Sequence, residues 1–230
     1  MVAQQQAMTL VPDWSKLKRL QAEKEVLGFY LSGHPLENYE QELQHIVTCR
    51  LAECTEREGQ TVMIAGWVVT IRSLWTKRGD RMAILTLEDR QSRLEITLFS
   101  EGYTTYKEKL HKDHLLIIEG ETQKDELTGN IRILAKKIFN IAEAREMYAK
   151  NVRICFASSQ LKEHAIKELK NTLPDFMPGV CPILMECQHL PSRSKVAFFL
   201  GDQWKVKPEE ALLIQIRQLF GDESVSIEYS

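Results

Sequence analysis

RMAILTLEDRQSRLEITLF, residues Arg81 to Phe99, decides how the rest of the chain is read. Arg81–Glu88 and Arg93–Phe99 each alternate apolar and polar side chains with period two, and Asp89-Arg90-Gln91-Ser92 between them has turn chemistry. An amphipathic helix would repeat its apolar positions every three or four residues. The pattern therefore predicts an antiparallel hairpin. Ala83, Leu85, Leu87, Leu94, Ile96 and Leu98 share the inner face; Met82, Ile84, Thr86, Arg93, Glu95, Thr97 and Phe99 share the outer one.

Working outward, Val62–Thr76 is a long β-branched run with Gly66 inside it, which predicts a strand bent by a glycine. The turn Lys77-Arg78-Gly79-Asp80 joins it to the hairpin. A short helix is expected over Glu101–Leu110, then a strand over His114–Gln123, a turn over Lys124–Gly129 and a strand over Asn130–Ile141. Five strands with a helix between the third and fourth is the order of an OB-fold barrel, with another five-stranded meander as the alternative.

The flanks read differently. Residues 1–13 have linker character, and a helix follows over Ser15–Leu31, capped by Ser15 and stopped by Ser32-Gly33-His34-Pro35. A second helix over Leu36–Val47 completes a segment too short for a core of its own, so it must pack on something else. Beyond the barrel, Ala142–Lys150 is expected as a helix. Strands at Val152–Ala157, Val180–Gln188, Lys195–Leu200 and Ser224–Tyr229 alternate with helices at Ser159–Leu173 and Lys207–Phe220. The expectation is a multi-domain α+β protein: residues 1–60 linker and helical segment, 61–141 OB-fold, 142–230 a small α+β domain.

The 230 residues carry a net charge of −2, but unevenly. Residues 1–61 are net −3, residues 62–140 net +2 and residues 141–230 net −1. Only the barrel is net basic, so placement of its cations has to carry any argument about nucleic acid. No apolar run approaches the ~18 residues of a membrane span, and the N-terminus has no secretory pattern. Five scattered cysteines fit reduced thiols of a cytoplasmic protein. Cys49-x4-Cys54, Cys181-x5-Cys187-x-His189 and His111-x-x-His114 lack the spacing of metal sites. No phosphate-binding loop, nucleophile elbow or polymerase-type aspartate pair is present, so neither catalytic residues nor a cofactor is expected in this chain.

Single-strand binding needs cations along the phosphates and flat side chains under the bases. Arg72, Trp75, Lys77, Arg78 and Arg81 cluster at the first turn; Arg93 and Phe99 lie on the outer face of the third strand; Lys124, Arg132 and Lys136 follow the fourth. An OB-fold binds on that side. The competing reading makes Trp75 a cap on the core and the cations solubilising charge. In the tail, Phe176, Met177, Trp204 and Phe220 sit near breaks, where they are either anchors of a protein interface or core residues.

Glu23-Lys24-Glu25 with Leu27-Gly28-Phe29-Tyr30-Leu31-Ser32-Gly33-His34-Pro35-Leu36 strongly resembles the segment after the helix-hairpin-helix region of the bacterial DNA polymerase III alpha subunit. Thr76-Lys77-Arg78-Gly79, Leu85-Thr86-Leu87-Glu88-Asp89-Arg90, Arg93-Leu94-Glu95 and Leu98-Phe99 are similar to its next domain, and Ala142-Glu143-Ala144-Arg145-Glu146 and the tail follow in the same order. The resemblance covers about residues 20–230. It implies the non-catalytic C-terminal part of a replicative polymerase. Its OB domain would contact single-stranded template, and its last domain would bind the clamp-loader tau subunit. It also implies a sliding-clamp peptide upstream of the Gly28–Pro35 run; Gln6-Ala7-Met8-Thr9-Leu10 approaches that pattern but lacks its terminal aromatic. Two other readings compete: an anticodon-binding OB module of an aminoacyl-tRNA synthetase, and a protein-interaction scaffold with a disused barrel.

Overall fold

The computed structural model describes residue 14 and residues 16–76, 78–126, 129–160, 163–189 and 194–229. Strands β1 (Thr61–Trp75), β2 (Arg81–Glu88), β3 (Arg93–Leu98), β4 (Leu115–Lys124) and β5 (Ile131–Phe139) close a barrel in the order β1-β2-β3-β5-β4. The closing pair, β3 with β5, is parallel, with Ile96 opposite Ile133. Helix α3 (Ser100–Tyr106) lies between β3 and β4, so the OB-fold order expected from the sequence holds.

β1 is long because it serves two neighbours. Thr61–Trp67 pairs with β4 and Trp67–Trp75 pairs with β2, with a register shift between Val68 and Thr70. Gly66 sits at the changeover, where a Cβ would lie 2.9 Å from the Leu87 Cβ, so the close approach of strands requires glycine. The expected inner face is the inner face: Ala83, Leu85, Leu87, Ile96 and Leu98 are wholly buried and Leu94 nearly so. Each large aliphatic side chain there contributes about 1.5–3 kcal/mol by leaving water. On the expected outer face Thr97 is also buried, beside the β5 strand that closes the barrel over it.

The second sheet is ordered β8-β7-β6-β9, from β6 (Ala149–Ala157), β7 (Ile183–His189), β8 (Ser194–Phe199) and β9 (Val225–Tyr229); only the β6–β7 pair is parallel. Helices α5 (Glu163–Thr172) and α6 (Glu210–Phe220) supply Leu169, Leu212, Leu213, Ile216 and Phe220 to its core. Several expected boundaries move for local reasons. α6 starts at Glu210 because Pro208 biases Lys207 away from helical backbone. α5 gives way to a 3-10 turn, Leu173–Phe176, at Pro174.

The helix expected to run to Lys150 is α4 (Ile141–Tyr148); Ala149 is extended and pairs with Tyr229 instead. Near the N-terminus, helix α1 spans Lys16–Leu27, with the expected cap Ser15 outside the described residues. The helix expected over Leu36–Val47 is a 3-10 turn, Pro35–Tyr39, followed by a single α turn, α2 (Glu40–Leu43). Leu36, Leu43 and Ile46 of this segment pack with Met63, Leu115, Ile117 and Ala144 on the outside of β1 and β4. The segment is a bridge, as its composition implied.

The bridge, the barrel's exit helix and the tail meet at Arg145, which is 1% exposed. Its guanidinium donates to both carboxylate oxygens of Glu42 (2.8 and 2.7 Å), to Glu210 (2.9 Å) and to the Pro208 carbonyl (3.3 Å). Burial alone would lower its pKa, but the two carboxylates outweigh burial and raise it further. The Tyr229 hydroxyl donates to Glu42 (2.7 Å), and the ring stacks on His45. Burial and the nearby Glu42 push that hydroxyl's pKa well up, so it stays protonated.

Candidate nucleic-acid interface

The β1–β2 ladder runs out to Trp75 opposite Arg81. Its turn is closed by the Thr76 N–H on the Asp80 carbonyl (2.8 Å) and the Gly79 N–H on the Thr76 carbonyl (3.0 Å), with Gly79 at φ 86°. That left-handed backbone suits glycine. Arg78 stands exposed at the tip; Lys77 lies outside the described residues.

Alternation splits the hairpin's flat side chains between two faces. Leu74 pairs with Met82, and Phe99, one residue past the Leu98–Ala83 pair, continues the same outward row. Leu74 and Phe99 are 45% and 53% exposed, an apolar strip at the edge of the β2–β3 face. Trp75, 67% exposed, leaves from the opposite side of the ribbon. There the Arg81 guanidinium lies 4.7 Å from the Trp75 ring centre. Its other neighbour is Tyr103 of α3, whose hydroxyl is held below its ordinary pKa by hydrogen bonding to Ser73 and then to Arg81. Trp75 therefore does not cap the core. Tyr103 was missed from the sequence because α3 is remote in the chain from the hairpin it supports.

Four of the eight sequence-selected cations are already neutralised by carboxylates on the barrel's own surface. Arg72 pairs with Glu95 (2.8 Å), Arg93 with Glu88, Arg132 with Asp125 (3.1 Å) and Lys136 with Glu121 (3.0 Å). Arg132 also donates to Gln123 (3.1 Å). Arg78 and Lys124 carry no acidic partner among the described residues, and both are exposed, Arg78 in the β1–β2 turn and Lys124 where β4 enters the β4–β5 turn. The cationic part of the site thus contracts from whole strands to the two turns.

The Gly28–Pro35 run folds against the far end of that face. Glu23 accepts the N–H groups of Leu31 (2.8 Å) and Ser32 (2.9 Å), and Ser32 holds its carboxyl below the ordinary pKa. His34 accepts the Leu36 N–H on Nδ1 (3.2 Å), meets Tyr30 edge-on and brings Nε2 to 3.7 Å from Glu88. Burial lowers its pKa. This run is structural: it seats the bridge on β2 where Glu88 also holds Arg93.

In the tail, Phe176 and Phe220 are core residues, 7% and 4% exposed, and Phe220 packs against Phe156 at 5.4 Å between ring centres. Met177 and Trp204 are half-buried against the same core. Burial removes Phe176 and Phe220 as free anchors, because proximity to a chain break did not place them outside the core. The tail's exposed aromatics are Phe198 and Phe199 of β8. Gln6–Leu10 lies outside the described residues.

Residues 62–141 match a family model described as an OB-fold nucleic acid binding domain, and residues 168–221 match one described as the C-terminal domain of DNA polymerase III subunit alpha. DNA polymerase III subunit alpha of Vibrio cholerae is 34% identical over 227 residues, 98% of this chain and 19% of that protein. That of Pasteurella multocida is 34% identical over 226 residues, again 98% of this chain and 19% of that protein. That of Escherichia coli K12 is 36% identical over 219 residues, 94% of this chain and 19% of that protein. The chain spans about a fifth of the length of the curated relatives it matches.

Proposed function

We propose that this chain, which belongs with the C-terminal part of the DNA polymerase III alpha subunit, holds single-stranded template DNA on its barrel and the clamp-loader tau subunit on its tail. It would act as the non-catalytic end of a cytoplasmic DNA-directed DNA polymerase. The observation that carries the DNA reading is the hairpin tip. Exposed Trp75 and Phe99 occupy opposite sides of one ribbon, whose turn carries Arg78 and Arg81, neither with an acidic partner among the described residues. Bases stack on such surfaces without regard to sequence, and phosphates take the turn cations. The charge balance elsewhere on the barrel limits the footprint to a few nucleotides.

Titration of the 230-residue chain with labelled poly-dT and with a stem-loop RNA tests this. Binding to poly-dT that weakens steeply with salt supports the reading. Preference for the stem-loop would point to the anticodon-type module, and binding to neither would leave only a scaffold.

A further inference from the structure

Every residue of β8 is exposed, including Val196 (61%), Phe198 (48%) and Phe199 (58%). β8 is an edge strand: it pairs with β7, and no described strand lies on its other side. The Leu200 N–H donates to the Ile183 carbonyl at 2.9 Å, one residue beyond the Phe199–Leu184 pair. Hydrogen-bonded pairs alternate along an antiparallel ladder. Phe198 and Val196 therefore turn their backbone groups toward Met185 and Cys187. Lys195, Ala197 and Phe199 turn theirs to the open edge.

The side chains of Val196 and Phe198 lie on the same side of the sheet as buried Met185, yet remain exposed. The helices that cover β6 and β7 stop short of β8. An open apolar edge is a template for a further strand, and proteins ordinarily blunt such edges with proline, a bulge or a covering element. Among the described residues no proline, bulge or covering element does so here, and Lys195 is the one charged side chain in β8. The lysines around it do not set the partner's charge, since Lys195 pairs with Glu186 of β7 (3.3 Å) and Lys205 with Asp202 (3.0 Å).

We propose that β8 is the docking edge of the tail: an extended segment of the protein partner, apolar at alternate positions, adds to it as a fifth strand. Its N–H and C=O groups meet those of Lys195, Ala197 and Phe199, and its alternate apolar side chains cover Val196 and Phe198. This rests on the reading of the tail as the tau-binding module.

The test titrates the tau subunit against the 230-residue chain and two variants. Ala197→Pro removes an N–H that points to the open edge and leaves the β7 ladder intact; Phe198→Ser removes the apolar cover. Each should weaken binding by about tenfold or more while the melting temperature stays close to wild type. Amide exchange on the wild type supplies a readout free of folding effects: Lys195, Ala197 and Phe199 should gain protection when tau binds. Tau binding that survives both substitutions, or that leaves those amides unprotected, overturns the β8 edge and leaves the tail's assignment standing. No binding of tau by the wild type overturns the assignment itself. A wild-type dimer abolished by Ala197→Pro would give the edge to a second copy and overturn the proposal.

Discussion

Arg145 and Glu42, 103 residues apart, form a bidentate pair that joins the bridge before the barrel to the helix after it. The geometry is the strong form of an ion pair, two parallel charge-assisted hydrogen bonds. Glu210 and the Pro208 carbonyl take two of the three remaining guanidinium N–H groups. The barrel and the tail sheet are fixed to each other at this point.

Arg145→Ala should therefore cost about 3 kcal/mol, because it empties a buried site and leaves half-buried Glu42 with only the Tyr229 hydroxyl as partner. Denaturant unfolding read by tryptophan fluorescence should show a lower midpoint. A double-mutant cycle with Glu42→Gln should give strong coupling. Additive effects of the two changes would show that the pair contributes only packing.

Trp75→Ala and Phe99→Ala should each weaken poly-dT binding by about 1–3 kcal/mol, the range of one base–aromatic stack. Both rings are largely exposed, so the melting temperature should barely move. The two rings leave opposite faces of the ribbon, so their effects should add. A large loss of stability from either change would contradict the exposure described above.

The salt dependence of DNA binding should separate free cations from paired ones. Arg78, Arg81 and Lys124 changed together to alanine should flatten the slope of log K against log salt by roughly two, as expected for about three lost phosphate contacts. Arg72, Arg132 and Lys136, each already facing a carboxyl or amide, should change it far less when substituted together. Equal flattening by both triples would mean that those internal pairs open when DNA binds.

Glu186 predicts an acid-side dependence of stability. Hydrogen bonds from Arg153 and then Gln188 hold its carboxyl down to about 2, against an ordinary 4.5. A carboxylate depressed on folding contributes fully above its unfolded value and loses that contribution as the pH falls from 4.5 toward 2. Thermal unfolding followed over that interval should show a steeper acid decline for the wild type than for Glu186→Gln. Parallel curves would remove Glu186 as a source of acid sensitivity.

The barrel was legible because its information is local: period-two runs such as Arg81–Glu88 name their own faces. What the sequence could not disclose depends on partners distant in the chain. Arg72 reads as a free cation until Glu95, 23 residues on, is brought beside it. Phe220 reads as an exposed anchor before a glycine until Phe156 is brought beneath it. Arg145 and Tyr103 gave no local signal at all, since their roles arise only where three segments converge. The Trp75–Phe99 separation was accessible in principle from strand parity, but parity needs the register of β1 against β2, and a bulge between Val68 and Thr70 resets it.

The Tyr229–Glu42 hydrogen bond gives this region a mechanical character. Strand β9 returns to within 2.7 Å of the segment that precedes the barrel, so the bridge, the exit helix and the tail sheet are tied through the same carboxylate. A force applied between DNA on the hairpin and a partner on the tail would not first draw out a slack tether. It would load a short strut made of Glu42, Arg145 and the β6–β9 ladder, with the stiffness of a packed interior.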